Sequence, residues 1–63
     1  MTDYQVVETM ITYGGSFVQA LGKAYRCADQ WNQERLKAAF PNLFDEYREL
    51  AELQEQRARE RSA

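Results

Sequence analysis

Two adjacent glycines followed by a serine, Gly14-Gly15-Ser16, are the stretch of this sequence that looks most like catalytic machinery. A glycine-rich loop can cradle a phosphate group, because its backbone N–H groups point at the anion. A functional phosphate loop also needs a preceding buried strand and a Gly-Lys-Ser or Gly-Lys-Thr ending. This stretch has neither, so we interpret the two glycines as a tight connection between two helices.

Two acidic residues one helical turn apart, Asp45 and Glu49, are a second pattern that could do chemistry. Carboxylates at this spacing share one helix face and could act as a general acid and a general base. Arg48 lies between them, and the charged segment around them is typical of a solvated helix face. We therefore predict no catalytic residues in this chain.

The sequence contains no histidine and one cysteine, Cys27. A histidine-based triad, a Cys/His zinc site and an internal disulfide are therefore excluded. No Asp-rich calcium loop is present either. Cys27 lies near the apolar face of a predicted helix and has no histidine partner, so we expect a buried, inert thiol. We predict no metal, no cofactor and no enzymatic activity.

Length and charge indicate one small cytoplasmic domain. A chain of 63 residues buries only about 60% of the surface that its unfolded form exposes, so its core is marginal. The first residues include an acid instead of a basic region, and no run approaches the roughly 20 apolar residues of a membrane span. The net charge of −2 gives no general attraction to nucleic acid or anionic lipid. We expect no membrane association, and nucleic acid is disfavoured as a partner.

Apolar spacing predicts a first helix over residues 3–13. Its stripe has spacings of three, three and one, which place the residues on one helix face. The stripe consists of Tyr4, Val7, Met10 and Ile11. Thr2 or Asp3 is expected to cap the start, and Gly14 is expected to end the helix in the left-handed conformation.

A second helix is predicted to begin at Ser16, which would form a capping box with Gln19. Its apolar face recurs once per helical turn. This face consists of Phe17, Leu21, Ala24, Tyr25 and Ala28. Gly22 lies beside the face, and a close crossing with another helix would explain a glycine at that position.

Two further helices follow, and Asp29 is expected to cap the first of them. Its apolar side consists of Leu36, Ala39 and Phe40. Pro41 either ends that helix or begins the next one, and Asn42 is expected to cap the last helix. The buried face of the last helix is predicted to contain Leu43, Phe44, Tyr47, Leu50 and Ala51, and Leu53 is its final apolar residue.

The predicted fold is therefore all-α, with three or four short helices packed in a small bundle. Residues 1–53 are expected to form this single domain. Residues 54–63 are expected to form a charged, frayed helical tail, because nothing there pins the chain to a core. Within the tail, Glu55 and Arg59 form a favourable i,i+4 pair.

The run from Tyr13 to Tyr47 resembles a group of small proteins carried by bacteriophages and prophages. Members share a Tyr-Gly-Gly-Ser-Phe-Val start, a central Ala-Asp and an Ala-Phe-Pro followed by aromatic residues, as this sequence does. Proline often follows the Ala-Asp in that group, whereas Gln30 stands there in this chain. The resemblance implies a phage or bacterial origin and supports Asp29 as a helix cap. It implies no mechanism.

A helix-turn-helix DNA reader is a competing hypothesis, because short helices around a glycine-containing turn are its ingredients. The segment after Asp29 offers side chains suited to base edges, which are Gln30, Asn32, Gln33, Arg35 and Lys37. Glu34 lies among them and the chain is acidic, so an amphipathic helix with a polar outer face is preferred. DNA mimicry by the acidic last helix and self-assembly into part of a phage particle also remain open.

Aromatic content favours a role in protein binding. Phe, Trp and Tyr make up 13% of the residues, more than a few thin helices can easily bury, and Trp and Tyr dominate interface energetics. Trp31 lies off the predicted apolar stripe, and it either covers the end of the core or is exposed. The candidate partner-binding residues are Trp31, Tyr4, Tyr13 and Tyr47. We expect a non-enzymatic protein that binds a host protein, which it could modulate, or itself as a homo-oligomer.

Overall fold

Four helices account for nearly all of residues 2–62 in the computed structural model, which describes the backbone of these residues and the side chains of residues 2–60. The helices are α1 Asp3–Tyr13, α2 Ser16–Cys27, α3 Gln30–Ala39 and α4 Pro41–Ser62. The predicted all-α fold is confirmed. Residues 54–62 are helical and continuous with α4, and the predicted i,i+4 pair is present, with 2.8 Å between Arg59 Nη2 and Glu55 Oε1.

The start of α1 is capped by Thr2. The backbone N–H of Gln5 donates to Thr2 Oγ1 over 3.3 Å, and the Thr2 backbone N–H donates to Gln5 Oε1 over 2.8 Å. These two bonds form a reciprocal capping box. Asp3, the second candidate for the cap, is the first helical residue, and its carboxylate is available for contacts with other helices.

The buried face of α1 differs from the predicted stripe. Val6, Val7 and Met10 are buried, whereas Tyr4 is 64% exposed. The prediction was therefore wrong at Tyr4, and it missed Val6. Helix α1 packs against both α2 and α4, so its buried face is wider than one stripe, and it includes adjacent residues 100° apart on the helix.

Steric contact explains Gly14 better than backbone conformation does. Its φ is −73°, so the expected left-handed stop is wrong. A β-carbon at Gly14 would lie 2.5 Å from both the Met10 carbonyl oxygen and Val18 Cγ1. The expected close crossing at Gly22 is present, since a β-carbon there would lie 2.8 Å from Ile11 Cγ1.

Helix α2 begins without the predicted capping box. Gly15 is the N-cap, so Ser16 is already the first helical residue and makes no capping hydrogen bond. Gln19 instead donates from Nε2 to the Gly14 carbonyl oxygen over 2.8 Å. The glycine connection ends one residue earlier than expected, which takes Gln19 out of the position that a capping box requires.

The remaining boundaries are set by one cap and one proline. Asp29 caps α3 as predicted, because its Oδ1 accepts from the Asn32 N–H over 2.8 Å. Pro41 is the first residue of α4, a position that its fixed φ and missing N–H suit. Asn42 is therefore inside the helix, and its predicted capping role is wrong. Only Phe40 separates α3 from α4.

The core is small and comes almost entirely from α1, α2 and α4. Its buried members are Val6, Val7, Met10, Leu21, Tyr25, Phe44 and Ala51. Helix α3 contributes no fully buried residue, and Leu53 in α4 is 42% exposed. Cys27 is exposed, so the expected buried thiol is wrong. It follows Tyr25 by two residues, which turns it about 200° away from the core side of α2.

Replacing Gly14 by alanine should destabilise the fold, because the added methyl group collides with backbone and with Val18. We expect the free energy of unfolding to fall by about 1–3 kcal/mol. Gly15→Ala is the matched control, since a β-carbon there meets nothing within 4 Å, and its effect should stay within about 0.5 kcal/mol. Urea unfolding followed by circular dichroism measures both, and equal midpoints for the two variants would contradict the packing argument.

Candidate functional site: a carboxylate cluster and a groove between α2 and α3

One carboxylate links all four helices. Asp3 of α1 accepts from Lys37 Nζ of α3 over 2.9 Å and from Arg48 Nη2 of α4 over 3.2 Å. The Tyr25 hydroxyl of α2 also donates to it over 3.5 Å. We call these four residues the Asp3 cluster. No local sequence pattern predicts this cluster, because the partners of Asp3 are 22, 34 and 45 residues away.

The charges of the cluster support one another. The hydrogen bond from Lys37 lowers the pKa of Asp3, with Arg48 acting in the same direction against partial desolvation. The bond to Asp3 raises the pKa of Lys37, and Glu34 adds to that effect. Burial, followed by the charge of Asp3, raises the pKa of Tyr25. Tyr25 therefore stays protonated at neutral pH and remains a hydrogen-bond donor.

An open cleft of about 340 Å³ lies beside the cluster, lined by Asp3, Tyr4, Val7, Tyr25, Arg26 and Gln33. Its polar side chains other than Tyr4 are already engaged. Arg26 pairs with Glu8, and Gln33 Nε2 donates to the Tyr25 carbonyl oxygen over 3.1 Å. The interactions here join helices to one another, so we interpret the cluster as a positioning device. Within residues 2–60, no group of three or more His, Cys, Asp or Glu side chains could hold a metal ion.

A second and larger depression, of about 560 Å³, separates α2 from α3. We call it the α2–α3 groove, and it is lined by Ala24, Ala28, Asn32, Arg35, Leu36 and Ala39. The apolar face predicted for α2 is therefore divided in two. Leu21 and Tyr25 enter the core, whereas Ala24 and Ala28 line the groove.

Helix geometry puts two further aromatic side chains, Phe17 and Trp31, at the border of this groove. Phe17 is 61% exposed and lies on the same stripe of α2 as Ala24, seven residues earlier. Its ring meets Phe40 edge to face, with 5.8 Å between centroids. Trp31 is 73% exposed and precedes Arg35 by one helical turn, which places it at the rim on α3.

Arg35 has no carboxylate partner among the described side chains, as is also true of Lys23 and Arg57. Arg26, Lys37, Arg48 and Arg59 are all paired. The groove therefore combines an apolar floor with an unneutralised guanidinium at its edge.

The four aromatic residues predicted to bind a partner do not form one patch. Trp31 borders the groove, whereas Tyr4 lines the cleft beside the Asp3 cluster and a third cleft, of about 270 Å³, against α4. Tyr13 is 56% exposed. It follows Tyr4 by nine residues, which puts it about 14 Å along α1 and on the opposite side. Tyr47 is half-buried against the core. Arg35 lines the groove and Phe17 lies on the same stripe of α2 as Ala24, although neither was predicted to bind a partner.

No protein-family model matches this sequence, and no curated protein or solved structure matches it. Among the described helices, none combines the length and apolarity required to cross a membrane.

Removing the charge of Asp3 should weaken the bundle in a pH-dependent way. Asp3→Asn is expected to cost about 1 kcal/mol at pH 7, since the pairs are partly exposed and screened by solvent. Folding lowers the pKa of Asp3 below its ordinary value near 3.8. The stabilisation is thus complete above that value and is lost as the pH falls through the lower, folded-state value.

Thermal unfolding at several pH values tests this prediction. The wild type should exceed Asp3→Asn in stability at pH 7, and the difference should shrink in acid. Asp45→Asn is the control, because Asp45 pairs only with Arg48 of its own helix and should change stability by less than about 0.5 kcal/mol. A difference that is independent of pH would refute the electrostatic role of Asp3.

Proposed function

We propose that this chain is a non-enzymatic protein-binding module that engages its partner through the α2–α3 groove and its aromatic rim. The observation that carries the proposal is the 73% exposure of Trp31 beside an apolar groove. Tryptophan is enriched among the residues that dominate binding energy, especially where it borders a pocket. A chain with so small a core has few apolar residues to spare, so exposure of its one tryptophan favours a binding role.

The shape of the groove suits a helix. Alanines at positions 24, 28 and 39 leave room for a partner backbone to approach closely. Asn32 and Arg35 at the edge can fix the register of a bound segment through hydrogen bonds. An amphipathic helix lying in an apolar groove is a common mode of peptide recognition.

Two observations favour protein over nucleic acid as the partner. Of the five side chains that a DNA-reading α3 would use, Gln33 donates to the Tyr25 carbonyl and Lys37 pairs with Asp3. The net charge of −2 also opposes approach to a phosphate backbone. The resemblance to phage and prophage proteins supports a bacterial cytoplasmic setting, in which the partner is a host protein, whose modulation would be the outcome, or a second copy of this chain.

Affinity capture from bacterial lysate tests the proposal. Wild-type protein, Trp31→Ala and Tyr13→Ala would be immobilised, and the retained proteins identified. We expect a protein that the wild type and Tyr13→Ala retain and that Trp31→Ala loses, because removal of a tryptophan anchor costs about 2 kcal/mol or more of binding free energy. Tyr13 is the matched control, being an exposed aromatic outside the groove. Identical retained sets from all three proteins would refute the role of Trp31.

A further inference from the structure

The outer face of α4 carries a regular acidic pattern. Exposed residues recur there at spacings of three, four, three and four, which keep them on one side of the helix. We call this face the acidic stripe, and it consists of Glu46, Glu49, Leu53, Gln56 and Glu60. Leu53 is 42% exposed and lies two residues after the buried Ala51. It therefore points about 200° away from the core side of α4.

The carboxylates of the acidic stripe make no ion pairs within the described part of the chain. Of the acids of α4 off the stripe, Asp45 pairs with Arg48 and Glu55 with Arg59, whereas Glu52 is also unpaired among the described side chains. The stripe thus presents one exposed leucine among three unpaired carboxylates, and the exposed Arg57 lies at its edge, one turn after Leu53. Among the described side chains of α4, Ala51 is the last buried one, and the helical turns that follow it gain little stability from burial.

The α2–α3 groove has the complementary features. It offers an apolar floor for a leucine and an unpaired guanidinium, Arg35, for a carboxylate. Glu49 precedes Leu53 by one turn, so the two side chains lie side by side, about 6 Å apart along the helix. The groove residues of α3, from Asn32 to Ala39, span about 10 Å, enough for that pair. The α2–α3 groove and the acidic stripe are both exposed in one chain, so the groove does not bind the stripe of its own chain.

We propose that the α2–α3 groove of one copy receives the acidic stripe of a second copy. Leu53 rests on the alanine floor, and the Glu49 carboxylate pairs with Arg35. The inference rests on the proposed function, because it names the partner of the same surface. The contact joins two different surfaces, so two such contacts exchanged reciprocally close a dimer, whereas unreciprocated contacts extend into longer assemblies.

Analytical ultracentrifugation over a wide concentration range tests the contact, at low salt and with a reductant that keeps the exposed Cys27 a thiol. The average molecular mass of the wild-type particles should increase with protein concentration. Arg35→Glu and Glu49→Lys should each weaken association by about tenfold or more. The association constant of the double variant, Arg35→Glu with Glu49→Lys, should be within about threefold of the wild-type value. The two changes together restore the ion pair with its charges exchanged.

Two controls carry the same charge changes at other exposed positions. Lys23→Glu lies on α2 outside the groove, and Glu52→Lys lies on α4 off the acidic stripe. Both should associate like the wild type. Trp31 is the one tryptophan, so its fluorescence should shift to shorter wavelength with concentration as the second copy covers the groove rim. Circular dichroism verifies that each variant is folded.

Salt dependence gives a test that needs no variant. Wild-type association should weaken markedly between about 0.05 and 0.5 M salt, because the pair is screened. Association that does not change with salt concentration would overturn the Arg35–Glu49 contact, and so would a double variant that associates no better than the single variants. A wild type that stays monomeric but captures a lysate protein through Trp31 would overturn the second copy as the partner and leave the proposed function standing. A monomer that captures nothing would overturn both.

Discussion

The arrangement of the four helices depends on the hydrogen bonds that the Asp3 carboxylate accepts from the other three helices. Helices α1, α2 and α4 share a small buried core, but α3 contributes no fully buried side chain to it. What holds α3 is the half-buried packing of Leu36 and Phe40, the Gln33 bond to α2 and the 2.9 Å bond from Lys37 to Asp3. A helix anchored so lightly depends on each of its polar contacts, since few apolar contacts replace them.

The same helix carries the surface to which we assign function. Trp31 and Arg35 lie on its outer side, while Gln33 and Lys37 fix its inner side to the rest of the bundle. The groove exists because α2 and α3 touch only lightly and because alanines fill little of the space between them. The proposed binding surface is thus a consequence of how α3 is held, and the Asp3 cluster supports the site without being part of it.

Local signals were sufficient to predict the helices. They failed to predict the roles of residues that depend on contacts with distant parts of the chain. Periodic apolar residues, the Asp29 cap and Pro41 located all four helices. The role of Asp3 could not be predicted, because its partners lie on three other helices. A left-handed conformation was predicted for Gly14 from the conformational freedom of glycine. What requires a glycine there is instead the close approach of Val18. The apolar face of α2 was predicted as one stripe. Only the part of it that faces the core is buried, because α3 packs less closely against α2 than α1 does.

The exposure of Trp31 was left open by the sequence, because a first-turn position off the apolar stripe is compatible with both outcomes. The structure shows that this residue is exposed, and its position one turn before Arg35 puts it at the groove rim, whereas Tyr4 and Tyr13 lie on opposite sides of α1. Composition alone therefore indicated that aromatic surface was available, but not where it was concentrated. The unpaired Arg35 and the acidic stripe became evident only after the internal ion pairs of the other charged residues were known.

Amide hydrogen exchange, measured residue by residue in the wild type and in Asp3→Asn at neutral pH, tests the central claim most directly. If Asp3 holds α3 in place, the α3 amides should exchange faster in the variant, by about fivefold or more. The amides at the α1–α2 crossing around Gly22 should change much less. Equal protection of α3 in both proteins would contradict the account, because α3 would then be held by packing without the help of the carboxylate.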